Sequence, residues 1–112
     1  MNIVDVKTAA TSPNPHSVDA RRLYDTEHAQ VIQLTLQPGE SLKRHVTPVD
    51  VFFYVLQGVG IVEIGEERQS VGPDTLIESP ANIMHCWYNE SSAPVRFLVV
   101  KVPRPTNPTR VL

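Results

Sequence analysis

Ten prolines and five glycines cut this 112-residue chain into short runs, and none of the runs carries apolar residues at helical spacing over three turns. Strand periodicity takes the place of helix. Ile32, Leu34 and Leu36 alternate with Gln33, Thr35 and Gln37, the period of a strand with one buried face. Val51 to Leu56 is apolar without alternation, as in a strand covered on both faces: one face would line an interior and the other would meet a second sheet or subunit. Ile61 to Ile64, the Gly65-Glu66 turn and Arg68 to Val71 read as a hairpin. Gly72-Pro73-Asp74 is a further turn, and strands are expected over Thr75 to Ser79, Met84 to Tyr88 and Val95 to Val102, with a short edge strand at Arg21 to Tyr24. Many short strands punctuated by Gly and Pro predict an all-β sandwich or barrel.

The length sets one domain, and 41% hydrophobic residues suffice for one core. Residues 1–17 form an irregular N-terminal arm that could lie across a partner subunit, residues 18–102 the barrel, and residues 103–112 an extended, exposed tail carrying Pro103, Pro105 and Pro108. The net charge is -2 with a pI near 6.0, and basic residues adjoin only at Arg21-Arg22 and Lys43-Arg44. Nucleic-acid binding leaves a clustered basic footprint, so nucleic acid is not an expected partner. The amino terminus lacks the basic start and apolar stretch of a secretory leader, and no apolar run is long enough for a bilayer, so no membrane partner and a cytoplasmic location are expected. A single cysteine, Cys86, leaves no internal disulfide.

Two runs carry the chemistry. The first extends from Gly39 through His45, Thr47, Asp50 and Val51 to Gly58, and the second from Asp74 through Pro80, Asn82 and His85 to Asn89. Together they resemble the two motifs of the cupin family, with Gly39, His45, Gly58, Pro80, His85 and Asn89 at the family's places and Tyr54-Val55-Leu56 before Gly58 typical of it. The resemblance spans about half the chain and implies a jelly-roll β-barrel. It also implies a small single-domain protein, expected as a homodimer, with a degenerate metal motif. Thr47 stands where the family has its second histidine, and Val51 where it has a metal-binding glutamate. Asp74 and Asn82 replace two glycines, but Asp and Asn are the residues that best tolerate positive φ, so both turns can survive.

If the cupin register holds, His45 and Thr47 share an interior face with Val51, Phe53, Val55, His85 and Trp87, an apolar pocket with two imidazoles at one end. His45 and His85 are the candidate ligands for one divalent transition metal, Zn, Ni, Cu, Mn or Fe, held weakly because catalytic sites usually use three protein ligands. The alternative is that both are hydrogen-bonded interior histidines in a scaffold without metal function. Thr47 and Asp50 are weaker candidates, and Asp50 would need a bulge to turn inward. Trp87 could pack the core or stack on a ligand. Cys86 should face away from His85 as a small buried hydrophobe, and Asn89 should bond its own turn. His16 and His28 are expected as solvated side chains.

Three functions follow from these residues: a module binding a metal or small organic ligand in the barrel; a metal-dependent enzyme of dioxygenase, isomerase or decarboxylase type acting on a small oxygenated substrate; or a structural dimerisation module with Phe52 and Tyr54 at its interface.

Overall fold

Two five-stranded antiparallel sheets face each other across a shared interior in a computed structural model that describes all 112 residues. The strands are β1 (Asp19–Asp25), β2 (Gln30–Leu36), β3 (His45–Val46), β4 (Asp50–Gln57), β5 (Gly60–Ile64), β6 (Glu67–Val71), β7 (Leu76–Ser79), β8 (His85–Tyr88), β9 (Val95–Val102) and β10 (Arg110–Val111). One sheet has the order β1-β2-β9-β4-β7 and the other β10-β3-β8-β5-β6. Apart from the β1–β2 and β5–β6 hairpins, consecutive strands cross between the sheets, the winding of a double-stranded β-helix or jelly roll. No helix is long and apolar enough to cross a membrane.

Period-two sequence dictates what each strand buries. Leu34 and Leu36 of β2, Val51, Phe53 and Val55 of β4, and Val95, Phe97 and Val99 of β9 all enter one hydrophobic cluster with Trp87 of β8. Cys86, one residue away from both His85 and Trp87, faces the other way and contacts Glu63 and Tyr88 at 3.3 and 3.2 Å. Phe52 and Tyr54 lie on the outer face of β4 and are half-buried, so that face is open to solvent in the single chain.

Turn chemistry holds the register. Asp74 (φ 63°) and Asn82 (φ 65°) adopt the left-handed conformation where the motif has glycine, as their short polar side chains permit. Gly58 (φ 81°) cannot be replaced in this way, because a Cβ there would sit 2.3 Å from the Pro94 carbonyl oxygen. Asn89 is buried and donates to the Leu36 and Ala93 carbonyls at 2.9 Å each while accepting from the Ser91 N–H, so it ties the β8–β9 turn to β2.

Both chain ends return to the barrel. The arm bridges to β1 at Thr11 and Arg21, and Arg21 donates to the Val6 and Lys7 carbonyls. The tail adds β10 as an edge strand beside β3, with Arg110 opposite Val46 and Val111 opposite His45.

Candidate functional site

His45 and His85 are direct cross-strand partners in the β3–β8 pair, and this register alone brings together two imidazoles from distant segments. Their ring centroids are 4.4 Å apart. In the facing sheet, one rung runs from Gln30 of β2 through Lys101 of β9 and Val51 of β4 to Ser79 of β7. These two rungs form a polar layer above the aromatic core.

His85 is buried and is gripped at both ring nitrogens: the Ser79 hydroxyl lies 2.6 Å from Nδ1 and the Thr47 hydroxyl 3.2 Å from Nε2. A hydroxyl can donate or accept, so either tautomer is satisfied. Thr47 thus serves His85 through a hydrogen bond. Asp50 is exposed at the start of β4 and accepts from the Ala81 N–H at 2.9 Å, while the irregularity in the β4–β9 pairing lies at the far end of β4, between Val55 and Gln57. No bulge turns Asp50 inward.

A third imidazole joins this pair. The Asn14 side chain bends the arm by donating to the Ser12 and Val18 carbonyls and accepting from the His16 and Val18 N–H groups. That bend brings His16 to 4.7 Å from the His45 ring, half-buried, against the expectation of a solvated side chain. The arm has no periodicity that could have signalled this placement. His28 is exposed, as expected, beside Glu27.

One backbone residue sets two tautomers. The Lys43 N–H donates to His16 Nδ1 at 2.9 Å, and a backbone N–H only donates, so the proton of neutral His16 is on Nε2. The Lys43 carbonyl lies 2.6 Å from His45 Nδ1, and a carbonyl only accepts, so that nitrogen carries the proton and Nε2 keeps its lone pair. His16 and His45 therefore offer, side by side, one N–H donor and one acceptor.

Burial disfavours the protonated form of all three rings. Desolvation first, then the proximity of His45, Lys43 and Lys101, lowers the His16 pKa to about 4. Desolvation, then His45, Lys101 and His16, lowers that of His85 to about 3. His45 is lowered by desolvation against the opposing effect of its Lys43 hydrogen bond. The Lys101 ammonium is itself lowered by burial and by Arg22, and it joins no ion pair.

Around these groups is a cavity of about 130 Å³ whose wall includes His16, His45, Thr47, Phe53, His85 and Lys101 and no carboxylate. Phe53 is the one residue of the expected apolar wall that reaches it. Val55 and Trp87 are fully buried below, in the hydrophobic cluster, and Val51 packs into that cluster as well. Trp87 stacks on Phe97 with centroids 4.0 Å apart, so it packs the core and does not reach the cavity. A larger open groove of about 460 Å³ runs outside, along β4 and β7, past Asp50 and Glu78; it holds no imidazole and no lysine.

A model of the cupin domain family matches residues 32–101, more than half of the chain. This protein belongs to the cupin family. The cupin is 34% identical to TT1209 of Thermus thermophilus, covering 94% of this chain and 100% of that one with a TM-score of 0.80. The polyketide cyclase RemF of Streptomyces resistomycificus shares the fold at 21% identity, with a TM-score of 0.86 over 100% of this chain and 85% of that one. YrkC of Bacillus subtilis (strain 168) is 30% identical over 93 residues, 77% of this chain, which spans only 50% of YrkC.

The cupin resemblance implies metal ligands at these motif positions, so the fit of the donors decides the chemistry here. No group of three His, Cys, Asp or Glu is placed to hold an ion. Val51 has no lone pair, its cross-strand neighbour Lys101 is a cation, and both nitrogens of His85 are already hydrogen-bonded. Every neighbouring charge acting on the imidazoles is positive or another imidazole. These residues do not fit a resident divalent metal.

Proposed function

We propose that this cupin is a binding module for a small oxygen-bearing organic molecule, held at the barrel mouth by His16, His45 and Lys101 with Phe53 as the apolar floor. The supporting observation is the Val51–Lys101 pair: a residue without a lone pair occupies the glutamate position, and a cation stands directly across from it. A carboxylate-lined cavity concentrates metal cations, whereas this one concentrates hydrogen-bonding groups and one positive charge. The motif is degenerate for metal and complete for polar organic recognition.

An NMR screen of about six-atom fragments, both charged and neutral, reads this directly through the imidazole signals. Binding is expected to shift the His16, His45 and His85 resonances together. Titration with Mn, Fe, Ni, Cu and Zn is the counter-experiment. Tight metal binding lost in His85→Ala, with no fragment shifting the imidazoles, would replace this reading with a metal site.

A further inference from the structure

The side chain at Lys101 is the least accounted for in the molecule. It occupies the interior row of β9, behind Val95, Phe97 and Val99, where every other member is buried and apolar. Its direct neighbours across the sheet are Gln30 and Val51, neither of which carries charge. No carboxylate lines the cavity it enters, and the charge that acts on it is another cation, Arg22. A lysine desolvated beside like charge, with no counter-ion, costs folding free energy, and an arriving anion would offset that cost. Its position also matters: Lys101 lines the same cavity as His16 and His45, and the Lys43 backbone holds these two rings in opposite tautomers, which leaves an N–H donor at Nε2 of His16 and an acceptor at Nε2 of His45.

We infer that the ligand is a small hydroxycarboxylate, its carboxylate set against the Lys101 ammonium and the His16 Nε2–H, its hydroxyl donating to the lone pair of His45 Nε2. The inference rests on the organic-ligand reading above and narrows it to a charge and a hydrogen-bond pattern. A carboxylate is acceptor-only and matches the two donors; an alcohol hydroxyl is the simplest group able to donate to the remaining acceptor. Size sets the upper bound. An engineered cavity of about 150 Å³ accommodates one benzene, so about 130 Å³ suits a ligand on the order of six non-hydrogen atoms. Lactate is of that size and carries both groups.

Isothermal titration of the full chain with lactate, propionate and 1,2-propanediol separates the elements. Propionate keeps the charge without the hydroxyl, and the diol keeps hydroxyls without charge. Lactate is expected to bind tightest, propionate more weakly and the diol weakest. Lys101→Met, with thermal unfolding confirming that it folds, is expected to weaken lactate roughly ten- to hundredfold. Diol binding as tight as lactate, or lactate affinity unchanged in Lys101→Met, overturns the anion. Equal affinity for lactate and propionate overturns the hydroxyl contact. If none of the three binds while other fragments still shift the imidazole resonances, this assignment falls and the broader one stands; if no fragment shifts them, both fall.

Discussion

The two ends of the barrel interior are built from the same strands and differ in what one step along each strand supplies. At the floor, Phe53, Trp87 and Phe97 form an aromatic cluster, with Phe53 edge-on to both of the others and Trp87 stacked on Phe97. The indole N–H of Trp87 is the one buried side-chain polar atom without a hydrogen-bond partner. At the mouth, two residues along β8 from Trp87, the ring is His85, with His45 and His16 beyond it, and four residues past Phe97 the apolar row of β9 ends in Lys101. Phe53 belongs to both ends, 5.4 Å from His85 and 5.4 Å from Trp87. The floor holds the sheets together by burial, and the mouth gives up part of that stability by placing imidazoles and a lysine where the same strands could carry apolar side chains.

The comparison predicts opposite responses to substitution. Trp87→Ala is expected to destabilise the fold by about 3–5 kcal/mol in chemical denaturation, because the cavity it leaves is walled by two sheets that cannot close on it. A loss below about 1 kcal/mol would mean that the floor is not the fold's anchor.

At the mouth, Lys101→Met is expected to stabilise the ligand-free protein, by about 1–2 kcal/mol, since it removes an unpaired, partly buried cation from an otherwise apolar row. Denaturant titration of the two forms checks the sign, and destabilisation would show an unrecognised partner for the lysine. Lys101→Glu sharpens the same contrast. A carboxylate beside His45 and His85 supplies the third donor type of a two-histidine, one-carboxylate metal site, and Ni or Zn affinity measured by titration is expected to rise over the parent.

Acid should act on the mouth first. His16 and His85 are neutral in the fold and titrate near 4 and 3, whereas unfolded histidines titrate near 6.5, so the unfolded state binds more protons below that value. Their contribution is complete above about pH 6.5 and is lost progressively as the pH falls toward 4 and then 3. Thermal unfolding across that window should show a shallower decline in His85→Gln, whose amide does not titrate there. The smallest effect belongs to the turns: Asn82→Gly should change stability by less than about 1 kcal/mol, and Asn82→Val should cost about 1–2 kcal/mol, because only the former tolerates positive φ freely.

Much of this is legible in the sequence. Period-two alternation placed Leu34 and Leu36 inside, the Gly65-Glu66 pair announced the β5–β6 hairpin, and Asp74 and Asn82 marked left-handed turns by their chemistry. Cys86 and His85 face opposite ways for the same reason of period. Lys101 could have been found as well, since it keeps phase with Val95, Phe97 and Val99, but a lysine at a strand's end usually reads as surface. His16 could not. Its position depends on one Asn14-centred bend in a segment without periodicity and on a backbone contact to Lys43, a residue far along the chain.

Sequence by itself determined the strands, the faces they bury, the glycine-like turns and the family, because each follows from local periodicity or from the conformational limits of single residues. Tertiary structure alone decided that three imidazoles and one lysine share a cavity without a carboxylate. Cross-strand register and the fold-back of the arm are global outcomes of packing, and the charge of a cavity is a sum over segments that no local pattern contains.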